Sequence, residues 1–415
     1  MFTLTYVCLD IYNGRMKTNP GGQLAPEEIL GRDKLIDDLW DILDGRNVYM
    51  NDLRRIGKTM ILRKMEAEPP KGWIVSKRDL GGVKSAAEFA NQVYRDALQK
   101  MGTKKRMFRW MNDLINDVGG TQVGGILTLP GGNAVSWKDV LTRTFADLHQ
   151  EQLDGDEHII FLWDEVPFMI DNIREIEGAK TAMEVLDVLR SLSQDYDSIR
   201  LLLTGSIGMH HVLKKLCDDG YNGSPLNTFE PVSPGPLEKK DAVDLAKRLF
   251  KGEGRNVKEL RKSSECVAEL TGNVPFYIHR LISRTPRGET ITPCSLIKLL
   301  DSELCATDDD WDLEHYRKRI RAYYPQGSDE KIVLAILDGI AKRKSMEFSA
   351  IMNEVNASID GGVDDEHLRE LLKLLMKDHY LERDAEGIYT FRLVIVRRWW
   401  VLDRNLEQME GEGCR

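Results

Sequence analysis

The sequence predicts an α/β protein whose first half contains a parallel sheet and whose second half forms two smaller units. Short apolar runs alternate with helical patterns up to about residue 232, and a stretch rich in proline and glycine follows. Four helical patterns come next, and a last segment combines three helical patterns with two strand-like runs. Strands that are apolar throughout are typical of a parallel sheet covered by helices on both faces.

Length and composition are those of a globular protein of two or three domains. The chain has 415 residues, of which 42% are hydrophobic and 30% charged, and its net charge is −9. Nucleic-acid binding would therefore need a local basic patch. We find no apolar run long enough to span a bilayer and no signal-peptide pattern, so we expect no membrane contact. Six scattered cysteines without a C-x-x-C pair fit a reducing cytoplasm, where we expect the protein to act.

The elements of the first half can be placed in order. An N-terminal arm, 1–22, ends in the turn-rich NPGG, and a helix with Ile36, Leu39, Trp40 and Leu43 at helical spacing opens a core at 23–232. The predicted strands of the core are 47–50, 72–77, 158–163, 199–205 and 227–232. Its other predicted helices are 58–66, 85–101, 137–150 and 178–195. We expect the Gly-rich stretch 119–132 to be a surface loop.

The second half begins at SPGP, 233–236. A small helical unit, 233–306, is predicted from the patterns 237–251, 257–270, 275–284 and 294–305. A charged connector, 307–328, leads to the segment 329–404, which has helical patterns at 329–342, 347–355 and 364–377 and then the strand-like runs YLERD and GIYTFR. Three helices followed by a hairpin are typical of a winged-helix domain. An amphipathic helix in VIVRRWWVLDRN closes this domain, and 405–415 is a tail.

The stretch NDLRRIGKT, 51–59, matches the end of the phosphate-loop pattern G-x-x-x-x-G-K-[ST]. Such a loop needs a strand, a turn whose N–H groups converge on the anion, and a helix N-terminus, and the sequence predicts all three here. Lys58 would reach the β- and γ-phosphates, and the Thr59 hydroxyl would ligate Mg²⁺. The alternative is an ordinary strand–turn–helix connection.

Asp52 stands where the pattern has its first glycine. A carboxylate about 4 Å from the phosphates would oppose binding by roughly 1–4 kcal/mol. If the carboxylate instead faces Arg54 or Arg55, it forms an ion pair and leaves the loop intact. We expect the second arrangement.

Polar side chains follow two other apolar runs. Asp164 and Glu165 end HIIFLW at the edge where open parallel sheets bind ligands. Asp164 would hold Mg²⁺ through water, and Glu165 would orient the attacking water; a solvated strand end is the alternative. Thr204 and Ser206 end the run LLLTGS, whose strand we expect between the first strand and the acid-bearing one. A hydroxyl there would bond the γ-phosphate or the attacking water, or else cap the turn into the next helix.

Five strings in this order resemble the archaeal-type ATPase family, which belongs to the AAA+ and STAND P-loop ATPases and is close to the origin-recognition-type replication initiators. They are ILGRDKLIDDLWDIL, LRRIGKTMIL, FLWDEVP, LLLTGSIGMHHVL and LTGNVPFYIHRLI, within residues 24–290. The resemblance implies a P-loop ATPase core, a helical lid at 233–306 and a winged helix behind them, as in the initiators. It also implies ATP and Mg²⁺ as ligands.

The resemblance assigns roles to individual residues. It places Leu30, Gly31 and Arg32 beside the adenine or ribose, and it makes Asp164 and Glu165 the Walker B pair. Thr204 or Ser206 would be the sensor on the fourth strand. Gly272 and Pro275, in GNVP, would form the lid turn that touches the base, although the family spacing is usually one residue shorter. The residues of the phosphate loop itself are Arg54, Arg55, Ile56, Gly57, Lys58 and Thr59.

The sequence therefore predicts a Mg²⁺-dependent ATP-hydrolysing switch that moves the lid and the winged helix. The alternatives are a nucleotide-bound regulatory scaffold with negligible hydrolysis and a P-loop kinase, although such kinases lack the ILGRD preface, the lid and the winged helix. The partner would be double-stranded DNA, another protein or a second copy of the chain. The basic runs 104–111 and 317–321 could contact phosphates, but the third winged-helix pattern, 364–377, is as acidic as it is basic. We expect RRWW, 397–400, to be a packing anchor.

Overall fold

The computed structural model describes residues 16–101, 122–123, 126–127, 136–153, 157–206, 208–324, 327–359 and 361–406. The chain divides into two compact units. The core unit is Arg32–Pro234, and the second unit combines Met1–Gly31 with Gly235–Arg415. The finer domain boundaries expected from the sequence stay predictions.

The core unit contains one parallel sheet of five strands in the order β2-β5-β6-β1-β7. The predicted sheet is confirmed, and β6 lies between β1 and β5 as expected. The elements of this unit are α1 Asp33–Gly45, β1 Asn47–Asn51, α2 Lys58–Ala67, β2 Trp73–Asp79, α3 Ala86–Met101, β3 Gln122–Val123, β4 Ile126–Leu127, α4 Trp137–Leu153, β5 His158–Asp164, α5 Val166–Glu177, α6 Ala179–Asp195, β6 Ile199–Gly205, α7 Met209–Asp218 and β7 Phe229–Val232.

Both faces of this sheet are buried. Along β5, Phe161 and Trp163 belong to a large apolar cluster with residues of α3 to α7, whereas Ile160 and Leu162 belong to a second cluster with α1 and α2. Successive side chains of a strand point to opposite faces, so a strand that is apolar throughout requires helices on both sides. The carboxyl ends of the five strands consequently meet at one edge, where the polar residues that follow them collect.

One feature of the core unit differs from the sequence-based prediction. Helix α5 was not predicted. Pro167 lies in the first helical turn, where its missing N–H has no intrahelical partner to lose. The Gly-rich stretch 119–132 lies outside the described residues apart from β3 and β4, which pair antiparallel.

The second unit is helical apart from short strands. Its elements are a 3-10 turn Pro26–Glu28, α8 Lys239–Gly252, β8 Asn256–Val257, α9 Leu260–Leu270, α10 Pro275–Arg284, β9 Thr290–Ile291, α11 Pro293–Leu304, α12 Glu314–Tyr323, α13 Asp329–Arg343, β10 Ser345–Met346, α14 Phe348–Ser358, α15 Asp365–Lys377, β11 Leu381–Arg383, β12 Tyr389–Phe391 and α16 Val394–Asp403. Strands β10, β12 and β11 form a small antiparallel sheet in that order. The predicted connector contains α12, which buries Tyr316 and Ile320.

The C-terminal helix α16 is fixed by its arginines, as the anchor interpretation of RRWW expects. Arg398 donates to both carboxylate oxygens of Asp301 in α11, at 2.6 and 2.8 Å. Arg404, just beyond α16, makes the same two-pronged contact with Asp338 in α13, with both distances 2.6 Å. The indole N–H of Trp400 also donates to Asp338, at 2.8 Å. These bonds hold α16 against two different parts of the second unit.

In the described part of the chain, no helix is both long enough and apolar enough to cross a bilayer.

Candidate functional site

The loop between β1 and α2 is built for an open approach to the helix N-terminus. Gly57 precedes α2 with φ 104°, a left-handed conformation that favours glycine. No atom lies within 4 Å of the place where a Cβ on Gly57 would stand. Unpaired backbone N–H groups at a helix N-terminus attract anions. The space beside Gly57 therefore gives an anion access to them.

The Lys58 side chain lies inside the loop and is hydrogen-bonded to its backbone. Its Nζ donates to the carbonyl oxygens of Asp52 and Leu53, at 2.6 and 2.8 Å, and the side chain is buried. The carbonyls stabilise the ammonium where it would otherwise lack partners. A positive charge is thus held within the loop, next to the start of α2.

Asp52 is 2% exposed, and its carboxylate is bound by groups of the core unit. One oxygen accepts from the N–H of Leu53 at 2.7 Å, and the other accepts from the Ser233 hydroxyl at 2.6 Å. Ser233 follows β7, so the contact joins the loop to a distant part of the chain. The expected ion pair with Arg54 or Arg55 stays a prediction; Arg54 is exposed, and Arg55 has φ 69°.

Thr59 and Asp164 meet at the edge of the sheet. The Thr59 hydroxyl donates to the Asp164 carboxylate at 2.6 Å across 105 residues of sequence. Burial raises the pKa of Asp164, and the Thr59 hydrogen bond opposes this rise. A hydroxyl and a carboxylate are oxygen ligands of the kind that Mg²⁺ takes in proteins.

Glu165 is held by Ser206. The Glu165 carboxylate accepts two hydrogen bonds of 2.9 Å, from the backbone N–H and the hydroxyl of Ser206. Burial raises the pKa of Glu165, and the bonds from Ser206 lower it. Helix α7 begins after Gly208 without a side-chain cap, so Ser206 does not have the capping role that the sequence left open. Glu165 itself has φ 59°, which turns the chain sharply from β5 into α5.

Thr204 is the other candidate for the polar position on β6. It lies opposite Met50 of β1 and is fully buried. Its hydroxyl has no hydrogen-bond partner among the described residues. Leaving a buried hydroxyl unsatisfied costs about 1–3 kcal/mol, so a polar ligand reaching this group would gain a hydrogen bond.

Arg32 contacts the phosphate loop directly. Its guanidinium donates to the carbonyl oxygens of Ile56 and Pro234, both at 3.0 Å, and the residue is 4% exposed. These bonds tie the last turn of the loop to the segment after β7. They indicate a role in positioning the loop; the role beside the base implied by the family resemblance stays a prediction.

Leu30, Gly31, Gly272 and Pro275 belong to the second unit. Gly31 has φ 67°, and a Cβ on it would lie 2.7 Å from the Cβ of Asp241, so both conformation and packing require glycine. Gly272 follows α9 with φ 61°, and Pro275 is the first residue of α10. Proline at a helix start and left-handed glycine at a helix end are common structural devices. Their contact with a nucleotide stays a prediction.

Two residues of this edge were not predicted from the sequence. Asp79, the last residue of β2, lies opposite Asp164 in the strand register, and its charge contributes to the raised pKa of Asp164. A Cβ on Gly81 would lie 3.2 Å from the Asp79 carboxylate and 3.3 Å from the Glu165 Cβ. Gly81 therefore leaves room for these two acidic residues to approach. The aspartate that ends the strand WIVSKRD could have indicated that Asp79 belongs to this edge.

The residues at this edge fit a magnesium nucleotide. Lys58 and the N-terminus of α2 supply positive charge for phosphates, and Thr59 and Asp164 supply oxygen ligands for the metal. The orphaned Thr204 hydroxyl and the open space beside Gly57 are further features that such a ligand would use.

Comparisons with known proteins identify the fold. No family model matches the chain, and no curated protein matches it. A Walker-type ATPase of Pyrococcus abyssi is similar in structure, with a TM-score of 0.61 and 18% identity over 93% of this chain and 98% of that one. The ORC2 protein of Aeropyrum pernix, solved as ADPNP–ADP complexes, has a TM-score of 0.51 and 12% identity over 90% of this chain and 93% of its own.

These two structural neighbours are thus an archaeal Walker-type ATPase and an archaeal ORC2 protein. At these identities the likeness establishes the fold alone, and it agrees with the predicted α/β architecture, whose parallel sheet has five strands. What the site does follows from its own residues.

Proposed function

We propose that the protein binds ATP with Mg²⁺ at the edge formed by the loop 52–57, β5 and β6, and that it hydrolyses the γ-phosphate. The contact between Thr59 and Asp164 carries this proposal, because it joins the two halves of a metal and phosphate site. The cytoplasmic location expected from the cysteines belongs to the same proposal.

The loop binds the phosphates. On arrival of ATP, the Lys58 ammonium exchanges its bonds to the carbonyls of Asp52 and Leu53 for bonds to phosphate oxygens. Held by Thr59 and Asp164, Mg²⁺ would neutralise charge on the β- and γ-phosphate oxygens. Arg32 keeps the loop in place through the carbonyl of Ile56.

Glu165 orients the attacking water. The water oxygen forms a bond to the γ-phosphorus, the bond from that phosphorus to the bridging oxygen breaks, and ADP leaves with the electron pair. The Glu165 carboxylate accepts a hydrogen bond from the water, and Ser206 fixes the carboxylate by its two bonds. The Thr204 hydroxyl would donate to the γ-phosphate, which would satisfy a group that otherwise has no partner.

We also propose that the segment 329–404 is a winged helix that engages a partner according to nucleotide state. The helices α13, α14 and α15 with the sheet β10-β12-β11 support this assignment. The cations of α12 are paired within the chain, for Arg317 lies 2.9 Å from Asp403 and Arg321 lies 3.2 Å from Glu330. Since pairing leaves less charge for a phosphate backbone, this observation favours a protein partner over DNA.

The partner proposal is tested by titrating the protein with a labelled DNA duplex at increasing salt. Binding to phosphates weakens steeply as salt rises. Absence of binding at low salt would leave a protein as the partner, whereas tight, salt-sensitive binding that persists in Arg317→Ala but is lost in Lys373→Ala would assign DNA to α15.

The nucleotide proposal is tested by calorimetric titration with ATP in the presence of Mg²⁺. Lys58→Ala should lose binding by about a hundredfold, since it removes the charge inside the loop. Lys34→Ala is the matched control, because it removes an equal charge from the exposed surface of α1 in the same unit. Equal affinity of Lys58→Ala and Lys34→Ala would contradict the proposal. A wild type that binds ATP without releasing phosphate would favour the regulatory-scaffold alternative.

A further inference from the structure

A groove of about 670 Å³ lies at the amino-terminal edge of the sheet, away from the proposed nucleotide site. It is lined by Asp37, Trp40, Asp41, Asp44, Pro70 and Trp73. Trp73 begins β2, and Asp44 lies just before β1, whereas Thr59 and Asp164 gather at the opposite, carboxyl-terminal edge. The groove is thus a separate surface of the core unit.

We propose that this groove binds a lysine- or arginine-bearing segment of another protein. The first support is the carboxylates on one side. Asp37, Asp41 and Asp44 are exposed and spaced four and three residues apart, which places them on one face of α1. The carboxylates of Asp37 and Asp41 make no hydrogen bond or ion pair with any described residue.

The acidic face is unfavourable for α1 on its own. Asp41 and Asp44 lie near the C-terminal end of the helix, where the helix dipole disfavours negative charge, and no basic residue stands in that last turn. Asp37 and Asp41 also repel each other as like charges four residues apart. Asp171, another acid of the core unit, is by contrast paired with Lys215 at 2.8 Å. Asp44 interacts electrostatically with Arg200, whereas Asp37 and Asp41 repel each other and have no partner among the described residues, so these two carboxylates suit a cationic ligand.

The other side of the groove is aromatic. The rings of Trp40 and Trp73 lie 5.2 Å apart, and Trp73 lies 5.2 Å from His158. Indole faces next to carboxylates hold the methylene stem and the cation of a lysine or arginine side chain. A hydrated metal ion would make no use of these rings.

The indole N–H of Trp40 supports a polypeptide as the ligand of the groove. Trp40 is 8% exposed, and its N–H has no hydrogen-bond partner among the described residues. This N–H is not among the buried side-chain donors without a partner, so it is open to solvent, and an acceptor on a ligand can replace water there. Because Trp40 lines the groove, an acceptor can reach it from there, and a backbone carbonyl beside a basic residue is such an acceptor. Carboxylates, indole faces and a free donor together recognise a basic peptide.

Titration of the full chain with a fluorescent peptide of alternating arginine and glycine, followed by anisotropy at low salt, tests this proposal. Asp41→Asn should weaken binding about tenfold, because it removes a carboxylate that the cation contacts. Asp38→Asn is the matched control, since it removes the same charge from an exposed position of α1 outside the groove. Trp40→Phe, which keeps a ring and removes the donor, should weaken binding about threefold.

The outcomes are distinct from those for ATP, because the groove shares no residue with the proposed nucleotide site. Equal loss in Asp38→Asn and Asp41→Asn would show only general attraction to an acidic surface and would overturn the proposal. Lack of binding by the wild type would also overturn it. Self-association in sedimentation that disappears in Asp41→Asn would assign the groove to a second copy of the chain instead of a partner protein.

Discussion

The Thr59 hydroxyl and the Asp164 carboxylate are 2.6 Å apart, although 105 residues separate them in sequence. Thr59 lies in the first turn of α2, and Asp164 ends β5. Because the two groups are the oxygen ligands proposed for one Mg²⁺ ion, their contact ties the phosphate loop to the acidic strand end.

This contact predicts the effect of changing Thr59. Thr59→Val keeps the shape of the side chain and removes the hydroxyl, so Mg²⁺-dependent phosphate release should fall about a hundredfold. Thr59→Ser keeps the hydroxyl and should stay within about threefold of wild type. Rates are measured with saturating ATP over a range of Mg²⁺ concentrations. Equal rates for the valine and serine variants would contradict metal binding at Thr59.

The bonds from Ser206 predict the pH dependence of hydrolysis. Burial raises the pKa of Glu165 above its ordinary value of 4.5, and the Ser206 hydroxyl opposes this rise. The ionised carboxylate is a stronger acceptor for the attacking water than the protonated acid, so the rate should fall as pH drops through the raised pKa. Ser206→Ala removes one opposing bond and should move this acid limb to higher pH.

The matched variant Ser206→Thr keeps the hydroxyl and should leave the acid limb near its wild-type position. The measurement is the pH profile of kcat for the three proteins. An acid limb that stays in place in Ser206→Ala, or moves to lower pH, would show that Ser206 does not tune Glu165.

Restoring the first glycine of the loop pattern should weaken the protein. Asp52→Gly leaves the Ser233 hydroxyl and the Leu53 N–H without the acceptor they now share. The free energy of unfolding in urea should fall by about 1–3 kcal/mol. Ser233→Ala, which removes one of the two bonds, should cost about 1 kcal/mol. Unchanged stability together with much tighter ATP binding would show that the Asp52 carboxylate faces the phosphates.

The anchoring of α16 predicts a stability difference between two acidic contacts. Asp338→Ala leaves the Arg404 guanidinium and the Trp400 N–H without their acceptor, and it should lower the free energy of unfolding by about 3 kcal/mol. Arg317→Ala breaks an exposed pair with Asp403 and should cost at most about 1 kcal/mol. Urea unfolding of both variants measures the difference, and similar losses would contradict the anchor.

The parallel sheet could be predicted because the composition of its strands is itself diagnostic. Apolar runs such as HIIFLW require burial on both faces, and polar residues that follow such runs must collect at one edge. Helix α5 was not predicted; it begins directly after the sharp turn at Glu165, with Pro167 in its first turn. The position of Asp79 in the site could not be predicted without the strand order, because it is this order that places the end of β2 beside Asp164.

Contacts between residues distant in sequence add features of the site that the sequence did not predict. The ion pair of Asp52 with Arg54 or Arg55 stays a prediction, and Ser233, 181 residues away, supplies a bond to the same carboxylate that the sequence did not predict. Arg32 similarly contacts the carbonyl of Pro234 after β7. No periodicity or motif in the sequence predicts these two long-range contacts, because they depend on where β7 ends relative to β1.

Phosphate release from γ-labelled ATP by wild type and Glu165→Gln tests the central claim most directly. The glutamine keeps the size of the side chain and removes the charge that orients water, so ATP binding should persist while turnover falls about a hundredfold or more. Binding is measured on the same samples by calorimetry. Wild-type turnover no faster than that of Glu165→Gln, with ATP bound by both, would contradict hydrolysis at this site.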